Sequence, residues 1–148
     1  MKYAIVTGAS GFIGQALCRR LLREGIYVFA VVRNKDKMKS LLSQPNIEVI
    51  ESELKDYRQL HKKIESKNID YFFHLSWDGV YGKRLTLYEE QIQNVKYACD
   101  TILAAKEIGA KKFIFAGTVN ELEIMSYLGK EQFEPRLACI YGTCKLFA

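Results

Sequence analysis

VTGASGFIG, at residues 6–14, lies between two segments of different periodicity. The preceding segment, KYAIVTG at residues 2–8, is apolar and β-branched and ends in glycine, which predicts a buried strand. The following segment, residues 12–25, repeats apolar side chains at helical spacing and ends in Gly25, which predicts a helix and its stop. VTGASGFIG is therefore the predicted turn between a first strand and a first helix, and it decides the fold.

The three glycines of this turn have the spacing T-G-x-x-G-x-x-G. Gly8 can turn sharply off the strand, Gly11 lets the backbone approach a pyrophosphate, and Gly14 lets the helix pack tightly on the sheet. The helix N-terminus then offers N–H groups and a partial positive charge to the phosphates. The turn therefore predicts nucleotide binding. The alternative is a glycine-rich turn with a structural role alone.

Strands and helices alternate along the rest of the chain. Apolar runs predict four more strands at residues 26–33, 47–52, 69–77 and 111–117. Helices are predicted at residues 35–43, 57–66 and 86–109, and a last helix follows EPR at 134–136. Residues 118–135 are predicted to form a loop. Because buried strands joined by helices make a parallel sheet, the predicted class is α/β, a Rossmann-type doubly wound parallel sheet with helices on both faces.

Composition narrows the possible partners. The chain has 148 residues, is 49% hydrophobic and carries a net charge of +5, which suits one packed domain and mildly favours anionic ligands. Without a Lys/Arg-rich run, nothing predicts a nucleic-acid partner. No apolar run reaches the roughly 18 residues that a membrane span needs.

The cysteines show neither a CxxC pair nor a histidine at metal-ligand spacing. They are Cys18, Cys99, Cys139 and Cys144. With no signal peptide at the start, we expect reduced thiols, no metal site and a cytoplasmic protein.

The end of the second predicted strand bears on the cofactor. A carboxylate at this position binds the ribose 2′-hydroxyl of NAD, whereas an arginine accommodates the 2′-phosphate of NADP. Arg33 stands here, and Asp36 comes three residues late. The sequence therefore favours NADP over NAD. The alternative is that these are solvated charges at the start of a helix.

Further motifs follow the glycine turn in order: EL at 53–54, HLSW at 74–77, Asn94 in the long helix, Thr118 after a strand, and YGTCK at 141–145. Together they resemble the extended branch of the short-chain dehydrogenase/reductase superfamily, the NAD(P)-dependent nucleotide-sugar epimerases and dehydratases. The resemblance covers the whole chain. It implies these cofactor-binding residues: Gly8, Ser10, Gly11, Phe12, Ile13, Gly14, Arg33, Glu53, Leu54, Leu75, Ser76 and Lys145.

The catalytic residues predicted from these motifs are Tyr141, Lys145, Thr118 and Asn94. Tyr141 and Lys145 lie four apart on one helix face and can converge on one ligand. A nearby ammonium and a positively charged nicotinamide would lower the pKa of the tyrosine from about 10 toward neutrality, so that it can exchange a proton with a substrate oxygen. Thr118 would bind the same oxygen, and the resemblance implies that Asn94 helps to hold a proton-relay water. The alternatives are that Lys145 is a charge at the end of a helix, that Thr118 is a helix or turn cap, and that Asn94 is a polar surface residue.

Three residues near these motifs have open roles. Trp77 stands where the family usually has a small residue, and we expect it to overhang the nicotinamide or the substrate. His74, inside a predicted strand, is interpreted as a hydrogen-bonded core histidine. Glu121 is either a cap or a substrate-side residue.

The resemblance implies an oxidoreductase that transfers hydride between nicotinamide and a nucleotide sugar or related carbonyl, with NADP as cofactor and NAD as second choice. Members of this branch are much longer and commonly dimerise through the long and the catalytic helix, so a homodimer is expected. Residues 1–148 are predicted to form one NAD(P)-binding domain without the C-terminal substrate-binding region. The alternative function is a truncated, non-catalytic NAD(P)-binding module.

Overall fold

Five parallel strands form one sheet in the computed structural model, which describes residues 1–39, 43–65, 68–132, 134 and 136–148. The strands are β1 Tyr3–Thr7, β2 Tyr27–Val32, β3 Ile47–Glu51, β4 Tyr71–His74 and β5 Phe113–Phe115. Their order across the sheet is β3-β2-β1-β4-β5, and each neighbouring pair is parallel. This order confirms the predicted Rossmann-type class. It also makes the gap between the ends of β1 and β4 the topological switch point, where such sheets bind ligands.

The central strands β1 and β2 are buried on both faces. Alternate residues, such as Val6 and Ala30, pack with Cys18 and Leu21 of the first helix in one apolar cluster. Ile5, whose side chain alternates with that of Val6 along β1, is also fully buried. Each fully buried valine or isoleucine contributes about 1.5–3 kcal/mol of transfer free energy, so the β-branched runs that predicted these strands also stabilise the sheet.

Four α-helices accompany the sheet in the part of the chain that the structure describes. They are α1 Phe12–Arg23, α2 Tyr88–Ile108, α3 Val119–Tyr127 and α4 Cys139–Phe147. Among the described residues, 3₁₀ helices span Lys35–Met38, Leu54–Lys62 and Gly82–Thr86. The first two occupy parts of the helices predicted at 35–43 and 57–66, of which residues 40–42 and 66 lie outside the described residues.

Helix α3 shows that the predicted loop at 118–135 is wrong in its first half. Thr118 and Glu121 form a capping box: the Thr118 hydroxyl accepts a backbone hydrogen bond, and Glu121 Oε1 accepts one from the Thr118 N–H at 2.7 Å. This T-x-x-E spacing satisfies N–H groups that a helix start leaves without partners. Residues 133 and 135 of the predicted loop lie outside the described residues.

The chain divides into two compact units. Residues 1–76 and 100–116 form the first, here called the sheet unit, which holds all five strands. Residues 77–99 and 117–148 form the second, here called the helical unit. That residues 1–148 form one domain stays a prediction. Within the part of the chain that the structure describes, no helix has both the length and the hydropathy of a membrane span.

Candidate functional site

The turn after β1 requires glycine at its first position. Gly8 has a φ of 68°, in the left-handed region that disfavours other residues. A Cβ added there would lie 3.1 Å from backbone atoms of both Leu75 and Ser76, tighter than ordinary contact. The turn therefore packs closely against Leu75 and Ser76, which follow β4, at the switch point of the sheet.

The other two glycines of the turn differ in what surrounds them. A Cβ on Gly14 would lie 2.2 Å from the Gly8 carbonyl oxygen and 2.7 Å from the Cα of Ala9, so only glycine lets α1 approach the turn this closely. A Cβ on Gly11 would meet a single neighbour within 4 Å, the Gly8 oxygen at 3.2 Å, and Gly11 is exposed. The helix packing predicted for Gly14 and the open backbone predicted for Gly11 are both present.

The N-terminus of α1 is open to an anion. Its N-cap residue is Gly11, which has no side chain to bond the first N–H groups, and no acidic residue lies in the first turn. The side chains of Phe12 and Ile13 are 93% and 62% exposed. Gln15 binds the Ser10 carbonyl at 3.0 Å, which fixes the turn from the helix side. Backbone N–H groups without intrahelical partners and the positive end of the helix dipole fit the diphosphate of a dinucleotide.

Two charged residues predicted to contact the cofactor follow neighbouring strands of the sheet unit. Arg33 comes directly after β2, and Glu53 is separated from β3 by one residue, Ser52; both Arg33 and Glu53 are exposed. A hydrogen bond from Lys55 at 2.7 Å, together with its charge, lowers the pKa of the Glu53 carboxyl, and the charge of Arg33 adds a smaller effect. The arginine and the carboxylate are thus close enough to interact electrostatically. Leu54, the next residue, is buried.

The chain leaving β4 is held by side-chain hydrogen bonds. His74 Nδ1 lies 2.8 Å from the Thr7 hydroxyl, which also accepts the Leu75 N–H at 3.3 Å. The Ser76 hydroxyl lies 2.8 Å from the phenol of Tyr57. His74 is only 1% exposed, so its interpretation as a hydrogen-bonded core histidine is confirmed.

The predicted catalytic pair lies on α4 in the helical unit. Tyr141 is half-buried, the Thr118 side chain lies near enough to lower the pKa of its phenol, and Lys145, one turn later, is only 6% exposed. Between them, Gly142 would place a Cβ 2.7 Å from the Asn120 carbonyl oxygen. Glycine at this position lets α3 and α4 approach closely, and that approach brings Thr118 to the tyrosine.

Burial shifts the pKa values of both residues of the pair. It lowers the pKa of Lys145 to about 8, against an opposite effect of the Glu121 charge. It also raises the pKa of Tyr141; the Thr118 side chain lowers it, and Glu121 and Tyr81 raise it further. The protein's own groups thus act against the expected lowering of the tyrosine pKa, because the cost of removing a phenolate from water exceeds the lowering effect of Thr118.

Trp77 connects the pair to helix α2. Its ring lies 4.2 Å from Lys145 Nζ, measured to the ring centroid, and meets the Tyr141 ring edge-on at 6.1 Å. Its indole N–H donates to Gln91 Oε1 at 2.7 Å. Sequence reasoning missed Gln91, for which the available signal was its position one helical turn before Asn94. That Trp77 overhangs the nicotinamide stays a prediction.

Asn94 has a clear structural partner. Its Oδ1 accepts the Asp78 N–H at 3.0 Å, and its Nδ2 donates to the Asp78 carbonyl at 2.9 Å. The buried amide therefore fixes the backbone beside Trp77. Its part in holding a proton-relay water stays a prediction. Among the described residues, no group of three or more His, Cys, Asp or Glu side chains could hold a metal ion.

A comparison with protein-family models matches residues 4–148 to the NAD dependent epimerase/dehydratase family. The chain belongs to this family. One relative of this epimerase/dehydratase chain is the 2-alkyl-3-oxoalkanoate reductase of Shewanella oneidensis, 30% identical over 119 residues. Another is the dTDP-6-deoxy-L-talose 4-dehydrogenase (NAD(+)) of Aggregatibacter actinomycetemcomitans, 27% identical over 118 residues. Each of these matches covers 80% of the chain.

A similar solved structure is that of the UDP-Glc/GlcNAc 4-epimerase from Campylobacter jejuni. It has a TM-score of 0.78 and 18% identity and covers 99% of the chain, a similarity that shows the fold alone. The epimerase/dehydratase chain spans less than half of each of these proteins: 29% of the reductase, 42% of the dehydrogenase and 46% of the epimerase.

Proposed function

We propose that this chain is the cofactor-binding part of an NAD(P)-dependent oxidoreductase of the epimerase/dehydratase type, acting on a nucleotide sugar or a related carbonyl. One observation carries the proposal. A buried lysine lies one helical turn from a half-buried tyrosine, and the Thr118 side chain lies near enough to the phenol to lower its pKa. Burying an ammonium costs free energy, and groups with strongly shifted pKa values cluster at functional sites, so Lys145 is more readily explained as a functional residue than as a structural one.

The proton chemistry follows from these three side chains. In the reducing direction, the Tyr141 hydroxyl gives its proton to the substrate carbonyl oxygen, while Thr118 donates a hydrogen bond to the same oxygen. In the oxidising direction, the substrate hydroxyl gives its proton to the Tyr141 phenolate, which the Lys145 ammonium stabilises. The raised pKa of Tyr141 keeps the phenol protonated at neutral pH, which suits the reducing direction. When bound, the dinucleotide supplies or accepts the hydride.

The residues that would hold the dinucleotide are those of the glycine turn and the strand ends. The N–H groups at the start of α1 suit the diphosphate, and Lys145 would hold the nicotinamide ribose. The adenine end would contact Glu53 and Leu54, and the nicotinamide end Leu75 and Ser76. In this proposal, the open backbone at Gly11 and the exposed Phe12 and Ile13 leave room for the ligand.

The choice between NADP and NAD is a separate proposal. Arg33, exposed at the end of β2, favours NADP because a guanidinium pairs with a 2′-phosphate. The family description and the name of the talose dehydrogenase both specify NAD, which keeps NAD as the alternative.

Removing one positive charge tests the choice between NADP and NAD. Arg33→Ala should weaken NADP binding at least tenfold more than NAD binding. Arg23→Ala, the matched control, removes the same charge at the C-terminal end of α1, roughly 16 Å along the helix from the N-terminus that would bind the diphosphate, and should change neither affinity. Equal losses for both dinucleotides in Arg33→Ala would contradict the NADP preference.

The substrate class rests on the relatives. The names of the talose dehydrogenase and of the C. jejuni epimerase specify dTDP- and UDP-linked sugars, and the name of the reductase specifies an oxoalkanoate. Nucleotide sugars are therefore the first substrates to try. A homodimer and a cytoplasmic location remain predictions from the resemblance.

The decisive experiment combines binding with turnover. We expect purified protein to enhance the fluorescence of NADPH or NADH, and to reduce or epimerise a member of a panel of UDP-sugars, dTDP-sugars and 3-oxoalkanoates. Tyr141→Phe should lower turnover by about 100-fold or more while leaving dinucleotide binding unchanged. Tyr88→Phe removes an exposed phenol from α2 and serves as the matched control.

Two other outcomes are informative. Dinucleotide binding without any turnover favours the second candidate, a non-catalytic NAD(P)-binding module, which the short coverage of the relatives keeps open. If neither dinucleotide binds, the proposed function is wrong.

A further inference from the structure

One aromatic ring lies against the buried lysine of the helical unit. The distance from Lys145 Nζ to the Trp77 ring centroid is 4.2 Å, well inside the limit of about 6 Å for a cation–π contact. Three other lysine–ring contacts in the described residues have distances of 5.9–6.0 Å and involve tyrosine. Tryptophan is the strongest cation–π partner, and such contacts strengthen when both groups are shielded from water. Of these four contacts, the one at Trp77 is therefore best suited to bind a lysine ammonium.

The Trp77 ring is hydrogen-bonded to a fully buried glutamine, Gln91. Gln91 Oε1 accepts the indole N–H at 2.7 Å, and Gln91 Nε2 donates to the carbonyl oxygens of Gly79 at 3.1 Å and of Arg84 at 2.9 Å. One turn later on α2, Asn94 makes two hydrogen bonds to the backbone of Asp78. Helix α2 thus fixes both the ring and the loop that carries it.

The loop is shaped to allow this contact. Gly79 has a φ of 73°, and a Cβ there would lie 2.8 Å from Gln91 Nε2. A larger residue would push the glutamine away from the ring and strain the backbone. The geometry around Trp77 is therefore specified by several residues rather than by one contact.

We infer that Trp77 is a positioning residue for Lys145: its ring, fixed by Gln91, holds the ammonium by a cation–π contact beside the Tyr141 phenol. The inference rests on the proposed role of Lys145 in the reaction. It gives the bulky side chain at position 77 a role in positioning Lys145, which a small side chain at the same position does not have.

The contact has a chemical consequence for the lysine. Burial favours neutral Lys145, with a pKa of about 8, whereas a cation–π contact stabilises only the charged form. The ring therefore widens the pH range over which Lys145 stays charged beside the phenol. Other groups that face the pair include Glu121 from α3, and Tyr81 from the loop, which acts on Tyr141.

Trp77 is the single tryptophan of the chain, so its fluorescence reports on this contact without cofactor or substrate. An ammonium against the indole ring alters its emission, and loss of the proton removes that effect. We expect the emission to titrate with a midpoint between about 8 and the ordinary lysine value of 10.5. Lys145→Met should abolish the transition, and Lys83→Met, which removes an exposed lysine from the same loop region, should leave it unchanged.

Two further variants keep the test decisive if Lys145→Met fails to fold. Lys145→Arg retains a cation that does not titrate in this range, so its emission should stay at the low-pH value throughout. Tyr141→Phe should preserve the transition, which separates lysine from phenol titration. A wild-type emission that does not change across this window, or the same transition in Lys145→Arg, would overturn the inference.

The activity arm distinguishes positioning from simple packing. Trp77→Phe keeps a ring and should retain most of the activity, whereas Trp77→Leu should shift the pH dependence of kcat/KM to lower pH by half a unit or more. If Trp77→Leu lowers activity equally at every pH, the ring acts as packing alone and the inference is wrong. If the wild type shows no turnover at all, the proposed function fails, and the fluorescence titration still decides the role of Trp77.

Discussion

Among single residues, Lys145 combines a charge with almost complete exclusion from water. Its folded pKa of about 8 is below the ordinary value of 10.5. Between these two pH values the unfolded chain binds more protons than the folded chain, so stability rises as pH increases through this window. Below pH 8 both states are protonated and the full penalty applies, on the order of 3 kcal/mol before the cation–π contact offsets part of it.

Replacing this lysine therefore has a predictable effect on stability. Lys145→Met should increase the free energy of unfolding at pH 7 by roughly 1–3 kcal/mol, and the gain should shrink toward zero by pH 10. Urea denaturation at both pH values measures it. At still higher pH, Tyr141 acts in the opposite sense, since its raised pKa means that the unfolded chain loses the phenol proton first. A variant less stable than the wild type at pH 7 would contradict the prediction.

Glu123 shows the opposite dependence on pH. Its carboxylate accepts hydrogen bonds from Arg136, with Nε at 2.7 Å, and from the Tyr127 hydroxyl at 2.6 Å. These bonds, that from Arg136 foremost, lower the pKa of Glu123 to about 2. Its contribution to stability is therefore present above pH 4.5 and is lost as the pH falls toward 2.

Acid titration of one variant tests this role. Glu123→Gln should lower the urea midpoint at pH 7, and the difference from the wild type should narrow as the pH falls from 4.5 toward 2. Glu131→Gln, at an exposed carboxylate in the segment between α3 and α4, is the matched control and should leave the midpoint unchanged. A constant difference at every pH would mean that the charge of Glu123 contributes nothing.

At the scale of elements, the packing of α3 on α4 depends on one missing side chain. Gly142→Ala would bring a methyl group to 2.7 Å from the Asn120 carbonyl oxygen, so the helices must separate. We expect a loss of about 1–3 kcal/mol in the free energy of unfolding, as for other overpacked sites. Because the separation of the helices displaces Thr118, Gly142→Ala should also lower turnover, and by a larger factor than it weakens dinucleotide binding.

Thr143→Ala is the control for this prediction, because Thr143 is exposed on the same helix and its replacement should change stability by less than about 0.5 kcal/mol. Chemical denaturation followed by circular dichroism compares the two variants. If Gly142→Ala is as stable as the wild type, α3 and α4 can separate without a loss in the free energy of unfolding, and the prediction is wrong.

The elements also show what a sequence can and cannot predict. Runs such as Tyr27–Val32 have the apolar, β-branched character of buried strands, and all five strands lie within the predicted segments. Helix α3 was missed because its apolar residues Val119, Leu122 and Met125 are more than half exposed, so its pattern is not that of a core-facing helix. The T-x-x-E capping box at its start was the stronger local signal.

At the scale of the whole molecule, dinucleotide binding should be visible as added stability. With free ligand at 100 times Kd, the free energy of unfolding should rise by about 2.7 kcal/mol. Gly11→Ala keeps the fold, because its new Cβ meets only the Gly8 oxygen at 3.2 Å, but it narrows the space beside the helix N-terminus.

The ligand-induced shift should therefore fall well below the wild-type value in Gly11→Ala, while the stability without ligand stays within about 1 kcal/mol. Thermal denaturation with and without NADPH measures both quantities. An undiminished shift would mean that this glycine does not face the diphosphate.

Contacts between distant parts of the chain set the limit of prediction at this scale. The Tyr141–Lys145 pair is local, since four residues on a helix define it. The approach of Trp77 to Lys145 joins residues far apart in the chain, and nothing in either neighbourhood encodes it. Likewise, burial reverses the expected direction of the Tyr141 pKa shift, because burial is a property of the folded chain.

The strand order has a consequence for synthesis on the ribosome. Strand β1 is made first, yet it hydrogen-bonds on one side to β2 and on the other to β4, whose residues 71–74 emerge much later. Until then the nascent chain exposes one edge of its central strand, a surface that invites pairing with other chains. Chaperone protection of the emerging N-terminal segment would therefore matter most before residue 74 leaves the exit tunnel.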